Sequence, residues 1–244
     1  MNEIIKTTLL GLFFGTFGTT IGGIIGVVFK NPSKRMLSFI LQFSAGLMSA
    51  IICFDLIPEA LEISNMSSLL VGIIIGIAVM IFCESAVRKN ERITSNNNSL
   101  LKTGIIVGIG LAIHNFPEGL AIGSGFGASL KLGYSLALAI AFHDIPEGIS
   151  MSFPMKNGGM SKTKAVFLTL LSGLTTGIGA LFGALVGGIS KSVIGICLAF
   201  AAGAMLYIVS GELIPESNKI YKGRIGVIGN IIGFVIGMIA IDAF

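Results

Sequence analysis

The hexapeptide HNFPEG at residues 114–119 returns almost unchanged as HDIPEG at residues 143–148, and the two copies contain both histidines of the 244-residue chain. In each copy the histidine is followed directly by Asn or Asp, and by a glutamate four positions later. Positions i and i+4 share one face of a helix, so each copy should present its polar groups on one side. Two such helices look like two halves of a metal site, and the candidate ligands are His114, Asn115, Glu118, His143, Asp144 and Glu147.

The composition around these motifs is that of a membrane protein. The chain is 53% hydrophobic and only 11% charged, with a mean hydropathy of +0.93, whereas soluble domains carry about 25% charged residues. Roughly 20 apolar residues are enough to cross a bilayer as a helix. Eight such segments predict one all-α transmembrane domain over residues 1–244 and leave little chain for a soluble catalytic domain. Their approximate spans are residues 5–29, 36–58, 67–87, 102–126, 131–153, 162–188, 191–213 and 223–242.

Basic residues are distributed unevenly between the two sets of connecting loops. Thirteen of the sixteen lysines and arginines lie in or beside the loops that follow segments one, three, five and seven, and three lie on the other side. Positively charged loops remain in the cytoplasm, so this asymmetry predicts four cytoplasmic loops and extracytoplasmic termini. The net charge of +4 is therefore explained by membrane topology, and nucleic acid is not an expected partner.

A second sequence similarity relates segments two and seven. The pattern FSAGLM at 43–48, continuing to DLIPEA at 55–60, resembles FAAGAM at 200–205, continuing to ELIPES at 212–217. The charge distribution makes these two segments run in opposite directions across the membrane, as do the two segments that carry the hexapeptides. The sequence therefore predicts an inverted 3+2+3 repeat, and secondary transporters built in this way bind their substrate near the midplane, where the repeats meet.

The polar groups of the hexapeptides need a counter-charge inside the bilayer. Each ionised side chain costs about 3 kcal/mol there, and no lysine or arginine of the same segments is placed to pair with Glu118, Asp144 or Glu147. A bound divalent cation would neutralise most of this charge. Imidazole with carboxylate suits zinc, iron(II), manganese or cobalt, whereas magnesium and calcium prefer oxygen alone. The three cysteines lie away from the motifs, which disfavours copper(I), and the sequence does not choose among the other metals.

Eight predicted helices, two extracytoplasmic chain termini and the two hexapeptides together resemble the ZIP (Zrt/Irt-like) divalent metal transporters. The resemblance covers essentially the whole chain. The resemblance implies that the six candidate ligands form a metal site halfway across the membrane, between helices four and five. It implies transport toward the cytoplasm of zinc, iron(II) and related ions such as manganese, cobalt or cadmium, with the metal as substrate and no separate cofactor. Many members are thought to form homodimers and to use an elevator motion, and a multi-pass place in the cell membrane is expected.

One position departs from the pattern of that family. Bacterial relatives often carry a glutamate on helix six within a sequence like Ser-Gly-Leu-Ala-Glu, whereas this chain has Thr176 there, at the end of SGLTT. A neutral hydroxyl is a poor substitute for a carboxylate as a metal ligand. The departure predicts one well-occupied metal per chain on the side of the histidines, and a weak or empty position beside Asn115 and Asp144.

Two other functions compete with a carrier. A passive divalent cation channel would use weak, water-filled sites, whereas histidine and carboxylate together bind transition metals tightly. A metal-dependent intramembrane enzyme would typically carry HExxH, which is absent, so an enzyme is not expected. Asp55 and Glu212, each one turn before a proline, could line a vestibule or be solvated helix ends.

Overall fold

The computed structural model describes residues 3–29, 33–90, 99–187 and 190–243, and the only regular secondary structure within these ranges is helical. Lys30 and Arg92 of the charge argument, and the predicted end of the sixth segment at 188, lie outside the described residues. Eight helices follow one another: α1 Glu3–Val28, α2 Lys34–Ile63, α3 Met66–Asn90, α4 Ser99–Ala128, α5 Leu130–Asn157, α6 Lys162–Gly187, α7 Lys191–Ile220 and α8 Arg224–Ala243.

Seven of these helices are long and apolar enough to cross a membrane by length and composition, within the described ranges. The eighth is α5, the helix that carries His143, Asp144 and Glu147. It packs against α1, α4 and α2, and all three polar side chains are fully buried. Ionisable side chains of membrane-spanning helices face the interior of the bundle because their exposure to lipid is costly. The prediction of an all-α, multi-span membrane protein is confirmed.

The predicted ends of the second and seventh segments, at residues 58 and 213, are wrong. Both helices pass through a π-helical turn, at Ile52–Leu56 in α2 and at Val209–Leu213 in α7, and then continue to Ile63 and Ile220. Pro58 lies in the first turn of the helical segment that follows the π-helical turn of α2. Pro215 lies at the equivalent position in α7. A proline is tolerated there because the first N–H groups of a helical segment need no partner within it.

The packing of the helices agrees with a repeat of three helices around a central pair. Helix α2 of the first unit packs against α8 of the second, and α7 of the second unit packs against α3 of the first. Likewise α1 packs against α5, and α6 packs against α4. The helices α1, α4, α5 and α6 form an inner group, and α4 and α5 lie in contact at its centre. Both hexapeptides are therefore enclosed by other helices.

Glycines allow this inner group to pack closely. A Cβ atom at Gly119 of α4 would collide with the carbonyl oxygen of Thr176 on α6. On the first helix, a Cβ at Gly18 would lie 2.7 Å from Cβ of Asp144, and one at Gly15 would lie 2.6 Å from Oγ1 of Thr176. Small residues on one stripe let helix backbones approach in this way. As a result α1 and α6 close the hexapeptide region from two sides.

Candidate metal centre

Helices α4 and α5 both continue through the proline of their hexapeptide, Pro117 and Pro146. Because each helix continues, the residues on either side of the proline keep their helical spacing. In α4 this brings Nε2 of His114 to 3.6 Å from Oε1 of Glu118, one turn later on the same face. The local geometry is therefore the one that the spacing of the motif predicts.

The two hexapeptides exchange partners across the α4–α5 contact. Nε2 of His143 lies 2.8 Å from Oε1 of Glu118, and Nε2 of His114 lies 3.2 Å from Oε1 of Glu147. Nε2 of His114 is therefore closer to Oε1 of Glu147 on α5, at 3.2 Å, than to Oε1 of Glu118 on its own helix, at 3.6 Å. A ligand held between these four side chains would be bound by both helices together.

The two remaining predicted ligands, Asp144 and Asn115, also lie at this contact between α4 and α5. One ligand atom each from Glu118, His143, Asp144 and Glu147 lie within 4.8 Å of one another. Asn115 donates its side-chain N–H to the carbonyl oxygen of Ser172 on α6, at 3.0 Å. That hydrogen bond leaves the amide oxygen of Asn115 as the atom available to a ligand.

Burial makes this cluster electrostatically demanding. None of the six predicted ligands is more than 2% exposed. In the described part of the chain, the ion-pair contacts of the three carboxylates are made with the two histidines and with no lysine or arginine. Six oxygen atoms in and beside the cluster have no hydrogen-bond partner among the residues that the structure describes, and they belong to Asn115, Glu118, Asp144 (two), Glu147 and Thr176. Buried carboxylates without partners are normally compensated by bound cations.

A cavity of about 740 Å³ reaches the cluster from one end of the bundle. His114 and Pro146 line its inner part, and Glu84, Glu212 and Lys34 also line it. Lys34 lies at the end of the bundle where the sequence predicts a cytoplasmic loop, and the cavity opens toward this end. Of the two alternatives that the sequence left open for Glu212, a vestibule wall and a solvated helix end, the structure supports the vestibule wall.

A second cavity, of about 460 Å³, lies at the opposite end and is lined by Asp55, Glu59, Lys131 and Asp242, among others. None of the six predicted ligands lines it. Asp55 accepts a hydrogen bond of 3.0 Å from Oγ of Ser135 on α5. Asp55 also lines a vestibule, and the hydrogen bond ties α2 to α5 at the wall of this cavity.

Sequence reasoning missed the contacts that three residues make in and near the site. Ser172 orients Asn115, and Oγ of Ser44 donates to the carbonyl oxygen of His143 at 3.4 Å. Glu84 accepts a hydrogen bond from Tyr207 on the wall of the larger cavity. The sequence carries no signal of these two contacts, because Ser172 acts through its backbone carbonyl oxygen and helix packing alone brings Ser44 to His143.

A buried cluster of imidazole and carboxylate groups inside a bundle of membrane-spanning helices defines a membrane protein that handles metal ions. Comparison with known proteins identifies its family. The model of the family described as ZIP Zinc transporter matches residues 87–241, and this chain belongs to the ZIP family. It is therefore a metal-ion transporter, not an enzyme, and its substrates are divalent cations.

Individual relatives agree with this membership. The chain is 32% identical to zinc transporter ZupT of Corynebacterium glutamicum, over 96% of this chain and 97% of that protein. It is 31% identical to zinc transporter ZupT of Chlorobium chlorochromatii, over 100% of this chain and 99% of the relative. Zinc transporter GufA of Myxococcus xanthus is 41% identical over 54% of this chain and 52% of its own length.

Proposed function

We propose that this chain carries zinc or iron(II) into the cytoplasm and holds the ion in transit between α4 and α5. The observation that carries the proposal is the exchange of partners between the two hexapeptides. His143 contacts Glu118 at 2.8 Å, and His114 contacts Glu147 at 3.2 Å. A cation that replaces the two histidine–glutamate contacts would neutralise the carboxylates and gain ligands from both helices.

The ligand types favour a transition metal. Two imidazole nitrogens and two carboxylate oxygens make a four-ligand set that suits tetrahedral zinc. Iron(II), manganese, cobalt and cadmium are further candidates with the same donors. The relatives named above are zinc transporters, so zinc is the first metal to test. The ion is the transported substrate, held by His114, Glu118, His143 and Glu147, with Asn115 and Asp144 beside them.

Charge and access together support inward transport across the cell membrane. The loops that carry most of the basic residues are expected in the cytoplasm, and the larger cavity opens toward the end where Lys34 and Lys219 lie. An ion at His114 would leave through that cavity. The positions of both termini on the outer side belong to the same proposal.

A carrier fits this arrangement better than a channel. A channel needs a path that is open at both ends. The larger cavity reaches His114, whereas the smaller one is lined by none of the six proposed ligands. Access from one side at a time is the arrangement that alternating access requires.

Uptake into liposomes tests the proposal. The full-length protein is reconstituted, uptake of radioactive zinc is measured, and iron(II), manganese, cobalt and cadmium are added as competitors. We expect saturable uptake with zinc or iron(II) as the strongest competitor. Flux that stays linear with zinc concentration would indicate a channel, and uptake that no transition metal reduces would contradict the assigned substrate class.

Assembly into homodimers is the remaining part of the proposal. Helices α3 and α8 expose large apolar side chains along their length, including Phe82 on α3 and Ile239 on α8. These faces can be covered either by lipid or by a second copy. The mass of the protein in detergent, measured by light scattering, distinguishes a monomer from a dimer.

A further inference from the structure

We propose that the adjoining ends of α2, α7 and α8 form a binding site for the headgroup of an anionic phospholipid, and that Arg35, Lys222 and Arg224 hold its phosphate. All three side chains are exposed. They lie outside the metal centre and would bind an anion instead of a metal ion. The inference therefore goes beyond the proposed function and does not depend on it.

Hydrogen bonds hold the three helix ends together. Oγ of Ser38, near the start of α2, lies 2.8 Å from Oγ of Ser217, near the end of α7. The start of α8 packs at the same place, because a Cβ atom at Gly226 would lie 2.9 Å from Oγ of Ser38. Arg35 precedes Ser38 by one helical turn, and Arg224 precedes Gly226 by two residues. Basic residues of separate helices therefore meet at one surface.

A cation–π contact places one of these basic groups beside the connection between α7 and α8. Cζ of Arg35 lies 5.5 Å from the centre of the Tyr221 ring, and Lys222 follows Tyr221 directly. A guanidinium beside an aromatic ring keeps its N–H donors, and these donors suit a phosphate group. The contact therefore positions Arg35 next to Lys222 without neutralising its charge.

Neighbouring carboxylates do not compensate the positive charge of this surface. Among the residues that the structure describes, Arg35, Lys222 and Arg224 form no ion pair with a carboxylate, and the ion pair at this end joins Lys219 to Glu216. The first turns of α2 and α8 contain basic residues and no acidic one. Basic side chains are unfavourable at a helix N-terminus, so a bound anion would relieve the repulsion at both helices.

The apolar residues beside this surface identify the anion as part of a lipid. Met36, which follows Arg35, is 37% exposed. Val227 and Ile228, one turn after Arg224, are 57% and 47% exposed. Large apolar side chains on the outside of a spanning helix face hydrocarbon, so the basic groups next to them lie at the level of the lipid headgroups. A phospholipid can contact both the basic groups and the apolar faces.

The excess of positive charge favours an anionic lipid over a zwitterionic one. A zwitterionic headgroup would bring its own positive charge to three basic side chains, whereas phosphatidylglycerol brings only the phosphate. Each basic residue near an anionic lipid surface strengthens binding by about fivefold. Three residues on one headgroup therefore give a clear preference for the anionic lipid.

Native mass spectrometry of the purified full-length protein tests the proposal, with equal amounts of phosphatidylglycerol and phosphatidylcholine added to the detergent. We expect one phosphatidylglycerol bound per chain, preferred over phosphatidylcholine by at least roughly tenfold. Inorganic phosphate at the same concentration should not displace the lipid, because it cannot contact the apolar faces. Equal binding of the two lipids would overturn the proposal, and displacement by phosphate would overturn the assignment to a lipid.

Paired substitutions make the test specific. Arg35→Gln with Arg224→Gln removes two charges from the surface, and the two lipids should then bind nearly equally. Arg35→Lys with Arg224→Lys keeps both charges and should keep the preference. Lys162→Gln with Lys164→Gln is the matched control, because both lysines are exposed and lie in the first turn of α6. A preference that persists in the first pair, or that the control pair loses equally, would overturn the assignment to this surface.

Zinc binding by the same variants shows whether each of them remains folded. None of the substituted residues belongs to the metal centre, so zinc affinity should be unchanged in all of them. If the paired glutamine variant loses zinc binding, Arg35→Gln and Arg224→Gln are measured separately. Each should then lower the lipid preference by about fivefold, and an unchanged preference in both would overturn the proposal.

Discussion

Nε2 of His143 on α5 lies 2.8 Å from Oε1 of Glu118 on α4, and both side chains are completely buried. The reciprocal contact joins His114 to Glu147 at 3.2 Å. Neither helix holds a complete site alone. A metal bound here would couple the positions of α4 and α5, so any movement that separated the two helices would release it.

The first prediction concerns the glutamates. Glu118→Ala and Glu147→Ala should each lower zinc affinity by more than about a hundredfold, because each removes a ligand and a negative charge that faces the metal. The loss of a residue that only supports a ligand already lowers metal affinity by up to about a hundredfold. Isothermal titration of the purified variants measures the affinity. Glu62→Ala, at an exposed position near the end of α2, is the control and should bind zinc as the unmodified protein does. Unchanged affinity in both site variants would refute the ligand assignment.

The second prediction concerns pH. A histidine must be neutral to bind metal, and its ordinary pKa is about 6.5. Zinc affinity should therefore be constant at higher pH and weaken below about pH 6, by up to roughly a hundredfold per pH unit when two protons compete with one metal. Competition titrations between pH 7.5 and 5.5 measure the slope. His114→Ala should show a shallower slope, and a flat profile in the unmodified protein would mean that neither histidine is a ligand.

The third prediction concerns the number of metals. The unmodified protein should bind one zinc ion per chain, since three carboxylates cannot neutralise two divalent cations. In Thr176→Glu a fourth carboxylate makes two divalent ions electrically neutral, so the ratio should rise toward two. Elemental analysis of the purified proteins gives the ratio. Two equally tight zinc ions in the unmodified protein would show that another residue compensates for Thr176.

The fourth prediction concerns the packing of α4 against α6. A methyl group at Gly119 would collide with the carbonyl oxygen of Thr176, so Gly119→Ala should destabilise the protein by about 1–3 kcal/mol. Gly110, on the same helix, has no atom within 4 Å of its ideal Cβ position. Gly110→Ala should be neutral or stabilise by up to about 1 kcal/mol. Thermal unfolding in detergent compares the two, and equal midpoints would contradict the close contact.

Local patterns allowed much of this protein to be predicted. The eight helices follow from apolar segments long enough to cross a bilayer. The six proposed metal ligands were predicted from the spacing in HNFPEG and HDIPEG, because the helical period places positions i, i+3 and i+4 on one face. The helix ends near Pro58 and Pro215 were wrong, since a π-helical turn before each proline lets the helix continue.

Tertiary structure decided the relations between helices. Spacing within one hexapeptide places His114 near Glu118, but it cannot show that His143 lies nearer to that glutamate. Packing between α4 and α5 determines this contact, and the contact of α6 determines that Asn115 presents its oxygen. Which cavity reaches the centre also depends on how all the helices pack. A helical period is a local property of the chain, whereas partners and access depend on residues that are far apart in sequence.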